Sequence, residues 1–149
     1  MSALALRPAR ADDAEFLFEL WKAALGPYVV QTFGPWDEAA RRSQFFATQK
    51  LEPHQVVELG PERIGWLHLE SHAAEWKLNR LFLAPTHQGR GLGRRLMQDL
   101  LNEADASHSP IRLRVLRVNP ARRFWERLGF RVTGESATHF FMERAPTPR

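Results

Sequence analysis

Leu81-Phe82-Leu83-Ala84-Pro85-Thr86-His87-Gln88-Gly89-Arg90-Gly91-Leu92-Gly93-Arg94 carries three kinds of local structure in fourteen residues. Trp76 to Leu83 alternates side chains as a strand does, and Pro85 ends it. Gln88 to Gly93 is a glycine-rich turn. Leu92, Leu96 and Leu100 then recur at four-residue spacing with Met97 and Leu101 beside them, which predicts an amphipathic helix. The first turn of a helix presents unpaired N–H groups and the positive end of its dipole, so it suits a phosphate. Glycines let a backbone approach that anion with no Cβ in the way. They also weaken the start of a helix, and holding a pyrophosphate supplies a reason for them. Two phosphate loops are excluded. Arg94 and Arg95 stand where a P-loop needs Lys and Ser/Thr, and Leu96 stands where a dinucleotide fingerprint needs glycine.

On the N-terminal side, Leu4 and Leu6 read as a short strand closed by Pro8. A helix follows, capped by Asp12 with Glu15, carrying Phe16, Leu17, Leu20, Trp21, Ala24 and Leu25, and stopped by Gly26-Pro27. Tyr28 to Pro35 reads as an aromatic, turn-rich loop, and a second helix runs from about Trp36 to Lys50. Val56–Leu59 and Ile64–Leu69 flank Gly60-Pro61 as a hairpin, with Trp76–Leu83 as the third strand of the same meander. On the C-terminal side, Ile111 to Val118 is a strand. Asn119-Pro120 opens a helix carrying Phe124, Trp125 and Leu128, with Gly129 at its C′ position. Phe130–Val132 and Thr138–Met142 are strands, and Ala145 to Arg149 is a frayed tail. The predicted order is β-α-α-β-β-β-α-β-α-β-β, a mixed α/β sheet with antiparallel and crossover parts. With no repeat, low-complexity tract or linker, residues 1–149 read as a single domain.

The chain has 149 residues and no cysteine, which excludes a disulfide scaffold, a thiolate zinc site, a cysteine nucleophile and an acyl-cysteine intermediate. No apolar run approaches the ~20 residues of a membrane span, and Met1 to Arg10 lacks a signal-peptide core, so a cytoplasmic protein with no membrane partner is expected. The formal charge of +4 is unevenly spread: Met1–Trp76 holds seven basic and eleven acidic residues, whereas Lys77–Arg131 holds twelve and four. A basic block of this kind fits an anionic partner, whether nucleic acid, an acidic surface or a phosphorylated small molecule, and equally an ordinary solvated face.

Gln88, Gly91 and Gly93, set between that strand and that helix, match the Q/R-x-x-G-x-G/A motif of the GNAT acetyltransferases. The chain resembles this family over nearly its whole length. The element order corresponds, and Asn119-Pro120-Ala121-Arg122-Arg123-Phe124-Trp125-Glu126-Arg127-Leu128-Gly129-Phe130 is similar to the family's C-terminal segment. The resemblance implies a mixed α+β fold around a central twisted mixed sheet, and an acetyl-CoA site with no metal. Backbone amides from Gly89 through Arg90, Gly91, Leu92 and Gly93 to Arg94 would hold the pyrophosphate. Leu81, Phe82 and Leu83 would pair with pantetheine as an added strand, and Asn119 would steady its far end. As readings of the residues alone, Gln88–Gly93 as a plain loop and Asn119 as a helix cap stay open. Arg90, Arg94, Arg122 and Arg123 are candidates for the coenzyme A phosphates.

Without a cysteine or a G-x-S-x-G elbow, direct attack of a substrate amine on the thioester is the simpler route, and the resemblance implies the same. It needs a base, a donor for the developing oxyanion and an acid for the departing thiolate. The Leu83 N–H is the oxyanion candidate. Trp125 stands where many relatives place a tyrosine acid, and indole delivers no proton, so Trp125 reads as a wall of the acyl site or as core. One residue fewer separates Asn119 from Ala121 than in many relatives. The base candidates are Glu75, Asn79 (able only to orient a water) and His139, which has the most suitable intrinsic pKa. His68 and His72 leave a strand for a turn, so no metal pair is expected there.

In this fold the first two helices and their loop line the acceptor pocket, which points to Tyr28, Gln31, Thr32, Phe33, Trp36 and Asp37. Aromatic walls with one carboxylate suit a cationic amine, and the same aromatics could simply pack the loop onto the sheet. The reading is an N-acetyltransferase acting on a primary amine, with a homodimer left open. Its rivals are a non-catalytic acyl-CoA-binding or regulatory module and a nucleic-acid binder. The basic block lacks the interleaved aromatics of the latter.

Overall fold

The computed structural model describes residues 3–48 and 54–147. Strand β1 is Leu4–Pro8, followed by helices α1 (Ala14–Phe33) and α2 (Glu38–Thr48). Strands β2 (His54–Leu59), β3 (Glu62–Ser71) and β4 (Trp76–Leu83) form the predicted meander. Helix α3 (Leu92–Ala106), strand β5 (Ile111–Leu116), helix α4 (Ala121–Arg127) and strands β6 (Arg131–Glu135) and β7 (His139–Arg144) complete the chain. The order is the one expected. Among the described residues the strands make one seven-stranded sheet, β1-β2-β3-β4-β5-β7-β6. The pairings β1/β2, β2/β3, β5/β7 and β6/β7 are antiparallel, while β4/β5 is parallel through Trp76↔Ile111 and Lys77↔Arg112, so the sheet is mixed.

The chain divides into two compact units, Met1–His68 with Arg80–Leu92, and Leu69–Asn79 with Gly93–Arg149. In the first, Leu17, Phe18 and Leu20 of α1 and Phe45 of α2 pack with Val56 and Trp66 of the sheet. Phe45 meets both Phe18 and Trp66 edge-on, at 5.3 and 5.8 Å between ring centres. Asp13, 1% exposed, anchors the entry to α1. It accepts hydrogen bonds from Arg7 at 2.7 and 2.9 Å, from the Arg10 N–H at 2.8 Å and from Arg63 at 3.2 Å. In the second unit, α3 buries Leu96, Met97, Leu101 and Ala104, and the sheet contributes Ile111, Leu113 and Met142. Arg144 reaches from β7 to Asp105 at 2.9 Å, and Thr147 donates to the same carboxylate from its N–H and its hydroxyl. Thr147, in the stretch read as a frayed tail, is therefore tied to α3, whereas residues 148 and 149 lie outside the described residues.

Three expectations need correction. Gly26-Pro27 does not end the first helix: α1 continues six residues past Pro27. A mid-helix proline removes one hydrogen bond and crowds the preceding turn, but burial of Val29 holds the next turn in place. The helix stops at Gly34, whose φ of +97° suits glycine and whose N–H closes on the Val30 carbonyl at 2.9 Å. Tyr28 to Phe33 is consequently helical rather than loop. The residue that closes the entry to α1 is Asp13 and not Asp12, which is exposed and lies 3.5 Å from the Arg10 guanidinium. The second helix starts at Glu38, where Asp37 accepts the Ala40 N–H at 3.1 Å as its cap. Its expected end at Lys50 lies outside the described residues.

Candidate functional site

The closing half of β4 is held very close to β3. A Cβ added to Gly65 would lie 2.6 Å from the Phe82 carbonyl oxygen and 2.8 Å from a Leu83 methyl, so glycine alone admits this approach. The Ala84 N–H donates to the Ile64 carbonyl at 2.7 Å and fastens the strand's end. A single 3-10 turn, Pro85–His87, follows. Gln88 then folds back, its Nε2 donating to the Leu83 carbonyl at 2.9 Å. The glutamine that opens the motif thus clamps the turn onto the strand that carries Leu81, Phe82 and Leu83.

Gly89 and Gly91 have φ of +77° and +75°, and a Cβ at either would meet nothing within 4 Å. Left-handed backbone therefore accounts for both glycines, and the space above the turn is open. Helix α3 begins at Leu92, so the N–H groups of Leu92, Gly93, Arg94 and Arg95 have no acceptor one turn earlier in the helix. Arg90 and Arg94 are exposed on this segment.

The other candidates fall differently. Asn119 accepts the Ala121 N–H at 2.9 Å, so its side-chain oxygen caps α4. Arg122 lies over the Phe140 ring at 4.4 Å, with Glu126 at 3.6 Å, while Arg123 is exposed. Trp125 is buried between Phe124 and Phe130, with ring centres 4.9 and 5.4 Å away, which is a core position. Glu75 is paired with Arg112 at 2.9 Å, and Asn79 is exposed on β4. His139 is half-buried at the start of β7, its Nδ1 2.8 Å from the Thr138 hydroxyl. Burial, and then the nearby Arg114 charge, hold its pKa below the ordinary histidine value.

In the first unit a cavity of about 350 Å³ is lined by Trp21 and Phe45, by His54, His68 and Gln44, and by Arg41 and Arg80. The residues expected in an acceptor pocket are not among these. Tyr28, Gln31 and Phe33 lie on the last turns of α1, Asp37 caps α2, and Trp36 packs behind Trp21 at 5.2 Å with its indole N–H on Glu38. Arg80 carried a signal in the sequence. It occupies the same face of β4 as Trp76, Leu78 and Phe82, where the strand's period calls for an apolar residue. Gly65, a glycine inside a strand, was equally visible. His54 and Phe45 sit on different elements, and only the fold brings them together. Among the described residues no group of three or more His, Asp or Glu side chains could hold a metal ion, and no helix is long and apolar enough to cross a membrane.

The sequence model of the acetyltransferase (GNAT) domain matches residues 42–132, more than half of the chain, and the protein belongs to this family of acetyltransferases. Solved structures agree on the fold. The PaiA N-acetyltransferase of Thermoplasma acidophilum, solved in complex with coenzyme A, is similar with a TM-score of 0.75 at 20% identity, over 96% of this chain and 99% of that one. An acetyltransferase from Thermus thermophilus gives 0.71 at 25% identity, over 97% and 99%. The ribosomal-protein-S18-alanine N-acetyltransferase of Escherichia coli gives 0.68 at 17%, over 99% and 96%. No curated protein sequence matches the chain.

Proposed function

We propose that the protein binds acetyl-CoA on the Gln88–Arg94 segment and transfers its acetyl group to a primary amine by direct attack in a ternary complex. The observation that carries this reading is the clamped strand–turn–helix: Gln88 on the Leu83 carbonyl, two left-handed glycines, open space above them, and a helix start at Leu92. A pyrophosphate there meets backbone N–H groups and the helix dipole, with Arg90 and Arg94 alongside. Leu81, Phe82 and Leu83 lie along pantetheine, and the Leu83 N–H faces the oxyanion. The amine nitrogen attacks the acetyl carbonyl carbon, the C–S bond breaks, the amine loses a proton to a base and the coenzyme A sulfur takes one up. His139, neutral at pH 7, is the base with the most suitable chemistry. Glu75 is disfavoured by its pairing with Arg112. With no tyrosine at position 125, solvent protonates the thiolate.

Two measurements test the reading. Acetyl-CoA should raise the melting temperature, as a ligand of the folded state must, and Gly91→Asp, which sets a carboxylate and a strained φ on the turn, should abolish that rise. A panel of primary amines should release coenzyme A. A Gly91→Asp variant with wild-type affinity sinks the phosphate assignment. Tight acetyl-CoA binding with no turnover of any amine favours the non-catalytic module instead.

A further inference from the structure

The cavity in the first unit is built for an anion. Arg80 holds its guanidinium carbon 4.5 Å from the Trp66 ring centre and 5.9 Å from that of Trp21, a cation beside two aromatic rings that offer its N–H groups no strong acceptor. Among the described residues no carboxylate pairs with it, and burial alone pulls its pKa below the ordinary guanidinium value. Arg41, lying over Trp36 at 5.5 Å, adds a second cation to the same cavity. His54 accepts the Trp66 indole N–H on Nδ1 at 3.0 Å. Because indole only donates, Nδ1 carries no proton. Among the described residues none of the lining side chains is acidic, and Trp21 and Phe45 supply aromatic walls. A cation placed in the buried register of a strand, with no countercharge among the described residues, contradicts the local pattern, and such contradictions concentrate where a ligand completes the structure.

We infer that this cavity is the acceptor subsite and that the acceptor carries a carboxylate, received by Arg80 with Arg41. The inference rests on the acetyltransferase reading and names its substrate class. It adds a carboxylate to the cationic amine that the aromatic residues of the first two helices suggested. Arg80 and Leu83 are three residues apart, about 10 Å along a strand. The carboxylate and the reacting amine therefore sit at opposite ends of the molecule, unlike those of an α-amino acid.

The test compares 4-(aminomethyl)benzoate with its methyl ester, in binding to the coenzyme A-loaded protein and in turnover with acetyl-CoA. The acid should bind, and be acetylated with a kcat/KM about tenfold to a hundredfold above the ester, the usual worth of a hydrogen-bonded charge. Arg80→Gln should bring the acid down to the level of the ester, Arg80→Lys should keep part of the preference, and acetyl-CoA affinity should hold in both. Equal binding of acid and ester, or no binding of the acid, overturns the inference. So does a preference that survives Arg80→Gln. If Arg80→Gln weakens acetyl-CoA, the anion was the cofactor's, and if it lowers the melting temperature and both probes alike, Arg80 is structural only. Failure of the acetyltransferase reading shows separately, as no acetyl-CoA binding and no coenzyme A release from any amine. The acid–ester contrast in binding still decides the anion subsite in that event.

Discussion

His139 combines three properties at the scale of one residue: partial burial, a hydroxyl neighbour at 2.8 Å and the positive field of Arg114. Burial is the larger cause, and both favour the neutral ring. With its folded pKa below about 6.5, His139 can accept a proton at every pH above that ordinary value. His139→Gln should therefore cost about 3–5 kcal/mol in kcat/KM, with acetyl-CoA affinity unchanged and the acidic limb of the pH–rate profile lost. A rate within about threefold of wild type, together with a lower melting temperature, would show a structural histidine. Trp125 calls for the opposite outcome. It is 7% exposed and wedged between two phenylalanines. Trp125→Phe should cost about 1–2 kcal/mol of stability, a partial version of a large-to-small core change, while turnover per folded molecule stays close to wild type. A collapse of turnover in a stable Trp125→Phe variant would place the indole at the reacting atoms.

Among the elements, β4 depends most on a neighbour. Gly65→Ala would push a methyl into the Phe82 carbonyl, and backbone oxygen cannot swing aside. The variant should lose about 1–3 kcal/mol of stability as an overpacked site does. It should also lose about a hundredfold in kcat/KM, because a displacement near 1 Å misplaces the Leu83 N–H. Unfolding curves and initial rates on the one purified variant check both, and a wild-type rate would remove Leu83 from the oxyanion role. The elements differ in how much of themselves they wrote into the sequence. Period-2 alternation gave β4, four-residue spacing gave α3, and Gly129, with φ of +96°, marked the end of α4. The end of α1 was not readable in the same way. Gly26-Pro27 and Gly34-Pro35 are the same dipeptide, and only the burial of Val29, a tertiary fact, makes the second one the stop. Asn119 was open for a similar reason: its side chain serves a cap or a ligand equally well, and only the fold sets its oxygen 2.9 Å from the Ala121 N–H. The turn of the candidate site was legible because its chemistry is local. The cavity was not, because its lining is spread over α1, α2, β2, β3 and β4, and only α2 brings more than one residue.

Over the whole molecule, charge does two jobs that can be separated by pH. The basic excess after Lys77 is largely exposed arginine, available to an anion. The stabilising charges are a few carboxylates, Asp13 in the first unit and Asp105 in the second. Hydrogen bonds from Arg7 hold Asp13 well below the usual carboxylate range, and those from Arg144 hold Asp105 down to about 2. A depressed carboxylate pKa contributes stability that is complete above about pH 4 and is lost as pH falls through the folded value, because the unfolded chain binds the proton first. Asp105→Asn should thus cost about 2 kcal/mol at neutral pH. Asp13→Asn removes the buried carboxylate that Arg7 and Arg63 share, leaving Arg7 with Glu58 at 3.0 Å, and should cost about 3 kcal/mol. In urea titrations repeated between pH 7 and pH 2, each difference from wild type should be flat down to pH 4 and shrink below it. A difference that stays constant to pH 2 would mean that packing, and not the ionised carboxylate, holds these two junctions.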